Sequence, residues 1–232
     1  MKILALDTSM GACSAALLRR DGDTSKVFAR QARMARGHAE ALMPMVAEIM
    51  SESGTAFTAL DLIASTIGPG SFTGVRIAIS AARGLALVTG AKLFGIDSLT
   101  VMAREALTAG VVGGTPFAVA VDARRGMLYF GLYDGFARKL EGPLLLAPDD
   151  AAETLPRTLR TAIGSGAALL VEAAGRRAVL IEARLLDLEP SAIELAALAA
   201  ESGATVPALR PLYLRPPDAK PPANSNITGM IA

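Results

Sequence analysis

Short apolar runs separated by polar or glycine-bearing breaks open the chain, and near 2 to 8, 12 to 19 and 25 to 32 they predict three strands joined as hairpins. A helical period follows over 38 to 52, where Leu42, Met45, Val46, Ile49 and Met50 share one broad apolar face and Pro44 interrupts the first turns. A strand near 61 to 67, a helix from about 73 to 89, a strand near 92 to 96 and a helix over 98 to 108 continue in alternation. Gly110 to Pro116 reads as a linker. Beyond it, Phe117 to Asp122 and Met127 to Tyr133 are two strands around the Asp122-Ala123-Arg124-Arg125-Gly126 turn. A helical segment near 149 to 155, an apolar stretch ending at Ile163, the Gly164-Ser165-Gly166 turn and weaker strands near 169 and 179 follow. Pro190 and Ser191 introduce a last helix to about Ser202. The pattern predicts an α/β chain with a first lobe at 1–108, a smaller lobe at 109–190 and a proline-rich flexible tail at 216–232. No internal repeat survives at fixed spacing.

The most specific local signal is Gly68-Pro69-Gly70-Ser71-Phe72-Thr73-Gly74-Val75-Arg76, which joins an apolar strand to a helix rich in small residues. Gly68 and Gly70 permit backbone angles closed to other residues, and Pro69 fixes one dihedral between them. Ser71 or Thr73 can cap the helix, whose free N–H groups favour an anion. The spacing fits neither GxxxxGK[ST] nor GxGxxG, so bound phosphate does not follow from it. Along the helix, Gly74, Ala78, Ala81, Ala82, Leu85 and Ala86 form a small-residue surface that permits close backbone approach, either within the chain or by another chain. Arg76 can hydrogen-bond its own turn or reach an acidic group on a partner, and a permanently protonated guanidinium is a poor general base.

Composition narrows the chemistry. A 52% hydrophobic fraction over 232 residues supports well-filled cores, and a net charge of +1 gives little global attraction for a polyanion. Local clusters such as Arg30, Arg33 and Arg36, or Arg124 and Arg125, read first as charged surface. One cysteine, Cys13, excludes an intrachain disulfide, and one histidine, His38, excludes a two-histidine metal site. Met1 and Lys2 lead straight into a short strand with no signal-peptide pattern, and no convincing membrane helix interrupts the interior, so a cytoplasmic location is expected. Asp7 reads as a strand end and turn acceptor ahead of a cation ligand. Asp97 and Asp122 read as caps.

Lys2-Ile3-Leu4-Ala5-Leu6-Asp7-Thr8-Ser9, then Arg36-Gly37-His38-Ala39-Glu40-Ala41-Leu42-Met43-Pro44, then the uninterrupted GPGSFTGVR and Val121-Asp122-Ala123-Arg124-Arg125 together closely resemble the TsaB family, paralogues of the tRNA-modification protein TsaD. The resemblance spans most of residues 1 to 215. It implies an actin-like ATPase (ASKHA) architecture of two ribonuclease-H-like lobes, the second degenerate, with the helix at 191–203 returning to the first. It also implies a non-catalytic scaffold and activator that pairs with TsaD in threonylcarbamoyl transfer to adenosine 37 of tRNAs reading codons that begin with A. TsaE would join through that assembly, tRNA would be met through the complex with at most weak direct contact, and the isolated protein would form a homodimer.

In TsaD a pair of histidines four residues apart holds the metal; Ser98 and Met102 stand at the matching positions here, and neither replaces an imidazole. The resemblance therefore implies metal on TsaD, no intrinsic cofactor on this chain, and ATP or ADP only in the assembled complex. It assigns the helical side to the TsaD contact, with Leu42, Met45, Ile49, Gly74, Arg76, Ala78, Ala81, Ala82 and Leu85 as interface candidates. Asp7, Gly68, Pro69, Gly70, Ser71, Thr73, Asp122 and Arg124 carry the motif. A diverged actin-like ATPase or metallopeptidase, and a homodimeric scaffold unrelated to tRNA, are the alternatives.

Overall fold

A computed structural model describes residues 1–22, 24–202 and 209–215; the tail expected at 216–232 and the helix end at 203 lie outside them. Strands β1 (Lys2–Asp7), β2 (Ala12–Asp21) and β3 (Thr24–Arg33) form an antiparallel meander. Strands β4 (Leu62–Thr66) and β5 (Lys92–Ile96) add to β1 in parallel, giving the order β3-β2-β1-β4-β5. Helices α1 (His38–Ser53) and α2 (Phe72–Thr89) cover one face, where Leu4, Leu6, Val46, Ile49, Ala78 and Ala82 share a core. The other face is covered by α6 (Ala192–Glu201), whose Leu195 and Ala196 pack with Ile3 and Ala5. Because β1 is buried on both faces, its side chains form a continuous apolar run instead of an alternating one.

The second sheet contains β6 (Phe117–Asp122), β7 (Leu128–Tyr133), β8 (Lys139–Leu146), β9 (Thr161–Ile163) and β10 (Glu182–Arg184) in the order β10-β9-β6-β7-β8. Relabelled from its own first strand, this is the order of the first sheet, with the same two antiparallel and two parallel pairings. The chain is therefore two ribonuclease-H-like lobes in the actin-like arrangement. The second is reduced, since β9 and β10 have three residues each. Helices α4 (Pro148–Glu153) and α5 (Ala167–Arg176) cover one of its faces. Helix α3 (Ser98–Thr108), expected within the first lobe, packs Leu99, Met102, Ala103 and Ala106 onto the second sheet and Val101 toward α6. It is shared by both lobes.

Three local expectations fail. Residues around 169 are helical in α5, because Ala167, Leu170, Ala173 and Ala174 recur at helical spacing and bury one face. The strand placed near 179 is displaced to β10. Strand β8 was not anticipated, since Gly142-Pro143 interrupts it, and proline is tolerated there because β8 is an edge strand. Contrary to the sequence reading, α2 is long and apolar enough by length and composition to cross a membrane, but its Gly74, Val75, Ala78, Ile79 and Ala82 face packs on the sheet.

Candidate functional site

The strand ends of the first sheet bring the Asp7-Thr8-Ser9 turn against the glycine-proline turn that follows β4. Ser71 N–H donates to Ser9 O at 2.8 Å, Thr8 Oγ1 donates to Gly74 O at 2.6 Å, and Ser98 N–H donates to Gly68 O at 2.9 Å. Of the two candidate caps it is Ser71 whose hydroxyl accepts from the Gly74 N–H; Thr73 is exposed in the first turn. Two glycines are required by proximity. A Cβ on Gly70 would lie 2.2 Å from Ser9 O, and one on Gly74 would lie 2.0 Å from Thr8 O. The Gly68–Pro69 peptide is cis, and Gly68 has a left-handed φ of 99°. The motif is thus a backbone-to-backbone lock between two turns far apart in sequence.

Inside the lock, Asp7 is fully buried. Its Oδ1 accepts from the Ser9 hydroxyl at 2.7 Å and from the Thr66 hydroxyl, while Oδ2 has no partner among the described residues. Burial pushes the carboxyl up to about 6 against these hydrogen bonds, with the nearby Glu189 charge adding to the rise. An acid whose folded pKa lies above its ordinary 3.8 binds its proton more tightly when folded. Its burial therefore costs nothing below pH 3.8, costs more as pH rises toward 6, and reaches a constant penalty of about 3 kcal/mol above that. Unfolding free energies in urea between pH 4 and 7.5 are expected to fall in the parent relative to Asp7→Asn, with the difference flattening above about pH 7. Parallel curves would remove Asp7 as the source.

The β1–β2 turn is where an actin-like fold would offer backbone N–H groups to a nucleotide phosphate. Here Gly11 N–H donates to Glu189 Oε2 at 2.8 Å, and a Cβ on Gly11 would meet that carboxylate at 2.6 Å. The chain places its own anion on this donor, and the neighbouring Asp7 adds a second acid, so the residues present do not fit a phosphate at this turn. The Gly164-Ser165-Gly166 turn is equally filled: Ser165 Oγ accepts from Asp122 N–H at 3.1 Å, and a Cβ on Gly164 would lie 2.6 Å from Ala120 O.

Ser98 donates to Ser9 Oγ at 3.1 Å, and Met102 is buried in the apolar layer between α3 and the second sheet. Both positions are thus committed to packing. His38 places Nε2 3.1 Å from Met10 O, and Cys13 is buried, which pushes its thiol up to about 11. Asp97 caps α3 through Thr100 N–H at 2.9 Å and pairs with Lys139 Nζ at 2.6 Å. Asp122 accepts from Arg124 N–H at 2.8 Å and turns the chain.

The interface candidates divide. Leu42, Ile49, Gly74, Ala78 and Ala82 are sealed in the core shared by α1, α2 and the sheet, which corrects the expectation that they meet a partner. Small residues were placed there so that α2 could approach β1 and β4 closely. Met45, Ala81 and Leu85 are half-buried, and Arg76 is exposed. The most exposed large apolar side chains of α2 lie at its far end, where Leu87 is 87% and Val88 74% exposed. Neither belongs to the interface candidates of the sequence analysis, which the small side chains of the helix defined.

Arg76 does engage its own turn: its guanidinium lies 3.7 Å from the centre of the Phe72 ring, and Nε donates to Tyr213 Oη at 2.7 Å. Tyr213 belongs to a strap, residues 209–215, that crosses the first lobe. Arg83 donates to Leu209 O at 2.6 Å, Leu212 N–H donates to Ile67 O at 2.7 Å, and Arg215 donates to Arg124 O in the second lobe at 3.3 Å. Pro211 to Arg215 stands out in sequence as an apolar segment ahead of the proline-rich tail, but its path across the lobe and its meeting with Arg76 carry no sequence signal.

The family model for TsaD, tRNA N6-adenosine threonylcarbamoyltransferase, matches residues 27–179. The chain is 41% identical over 133 residues to the tRNA threonylcarbamoyladenosine biosynthesis protein TsaB of Escherichia coli, covering 57% of this chain and 55% of that one. That match spans about half the length of the curated relative. A Mycobacterium tuberculosis protein, Rv3421c, is 35% identical over 222 residues, 94% of each chain. Among solved structures, YeaZ from Pseudomonas aeruginosa superposes with a TM-score of 0.76 at 31% identity, over 91% of this chain and all of that one.

Proposed function

This chain belongs to the TsaB (YeaZ) family, within the wider group matched by the TsaD family model, and on that premise we propose that it is a non-catalytic scaffold and activator of TsaD in N6-threonylcarbamoylation of tRNA adenosine 37. The observation that carries the pairing is the outer side of α2. Only 28% of this strongly apolar helix is buried, and Leu87 and Val88 stand almost free in water. Covering such residues releases about 1.5–3 kcal/mol per fully buried side chain, enough to hold a partner helix when several combine. The same face supports a homodimer when the partner is absent.

A supporting role, with chemistry on TsaD, fits the commitment of Ser98 and Met102 to packing and of Gly11 to Glu189. Metal resides on TsaD in this reading, ATP or ADP binds in the assembled complex, TsaE joins through it, and the assembly works in the cytoplasm. The test is to delete the gene and quantify threonylcarbamoyladenosine in bulk tRNA. Loss restored by the parent gene is expected; normal modification without a compensating homologue would reject the assignment.

A sharper test concerns the contact. The double variant Leu87→Glu, Val88→Glu is expected to keep the parent's melting temperature, since both side chains are already solvated, and to bind TsaD from the same genome roughly tenfold or more weakly. Unchanged affinity by calorimetry or copurification would move the contact off this end of α2.

A further inference from the structure

We infer that the 209–215 strap, with the side chains it gathers, is a docking platform for a single-stranded RNA segment carried on the outside of the molecule. The inference rests on the tRNA reading above but assigns a direct contact to this chain.

Two aromatic rings lie open side by side. Phe72 is 47% exposed and Tyr213 43% exposed, with ring centres 5.1 Å apart and planes inclined by 31°. Arg76 stacks on Phe72 and spends Nε on Tyr213, and its terminal nitrogens make no hydrogen bond or ion pair among the described residues. Exposed rings beside an unpaired planar cation offer stacking surfaces for unpaired bases and a fork for phosphate. The strap then carries the charge onward: Arg210 is exposed on it, and Arg215 reaches Arg124. Arg124 is held in a left-handed backbone with φ 64°, and its side chain is 85% exposed. Asp122 is the acid paired with this group, 3.3 Å from Arg124.

The whole chain has a net charge of only +1, so Arg210 and Arg215 on the strap, with Arg76 and Arg124 beside its two ends, make a local concentration of cations out of proportion to the total. An acidic protein surface would satisfy the charges but gains little from the exposed parts of two aromatic rings. A duplex would hide its bases from the rings. Unpaired nucleotides use both.

The test is fluorescence anisotropy with the full chain, alone and bound to TsaD, using a labelled anticodon stem-loop and a blunt duplex of equal length at two salt concentrations. The parent is expected to prefer the stem-loop. Tyr213→Ala is expected to weaken stem-loop binding roughly tenfold and duplex binding little, and Tyr213→Phe to retain stacking. Arg124→Ala and Arg215→Ala should each lower the slope of log K against log salt by roughly 0.7–1. Variants are compared at equal melting temperature; should Tyr213→Ala melt early, the exposed Arg124→Ala and the Tyr213→Phe control decide. No stem-loop binding by the parent, identical slopes in the arginine variants, or displacement of RNA by polyglutamate at equal charge would overturn the platform. Such failure leaves the deletion result on tRNA modification intact, and a negative deletion result leaves the anisotropy standing, so the two readings fail separately.

Discussion

Gly74→Ala is expected to destabilise the protein by about 3–5 kcal/mol, a large share of the net stability of a typical domain. The direction runs against simple helix propensity, by which alanine in place of glycine gains about 1 kcal/mol. The added methyl carbon would sit 2.0 Å from Thr8 O and 2.5 Å from Ser71 Oγ. Neither can retreat cheaply. Thr8 is fixed by its own hydroxyl on Gly74 O and by the strand before it, and Ser71 caps the helix through Gly74 N–H. The matched control is Gly84→Ala on the same helix, where nothing lies within 4 Å of the new carbon. It should be neutral or stabilising by up to about 1 kcal/mol. Urea unfolding of the pair measures the difference directly, and equal midpoints would show that the two turns are not locked together.

The second large effect is expected for Ala82→Glu, which should yield an unfolded or aggregated chain. Ala82 is fully buried where α2 meets the first-lobe core, among apolar side chains. A carboxylate there must either stay ionised without a partner or take up a proton in a space sized for a methyl group, at a cost of about 3–5 kcal/mol. Leu87→Glu, at a position 87% exposed, carries the same charge into solvent and should fold normally. Circular dichroism and gel filtration of the two proteins separate the outcomes. A folded Ala82→Glu protein that merely lost its partner would mean that this face of α2 is a surface after all.

Much of the first lobe was legible because each element there has one strong reason to form. Strand β1 is an unbroken apolar run, α2 starts at a serine cap and ends at Gly90, and α3 starts at Asp97. The second lobe repeats the topology with weaker statements of it. Its last two parallel strands are three residues long, too short to show a period, and α5 follows a glycine turn with an apolar run that fits a buried strand as well as a helix. The spacing of Ala167, Leu170, Ala173 and Ala174 was the available signal.

The candidate site divides along the same line. Local chemistry, such as Ser71 on Gly74 or Asp122 on Arg124, follows from residue types a few positions apart. The Glu189 carboxylate on Gly11 N–H joins residues 178 apart, and Arg76 meets Tyr213 across 137. No periodicity carries that information. The small-residue face of α2 was read for what it permits, close approach, but only tertiary packing decides that the approaching surface is the chain's own sheet.

Helix α6 covers one side of a sheet whose five strands all precede residue 97, so on the ribosome that side stays bare until the second lobe has been made. At roughly 5–20 residues per second the delay is on the order of ten seconds, during which Ile3, Ala5, Ala16 and Phe94 face solvent or a chaperone. A nascent chain stalled within the second lobe would therefore display a sticky half-built sheet, whereas one stalled after α6 would already be closed on that side.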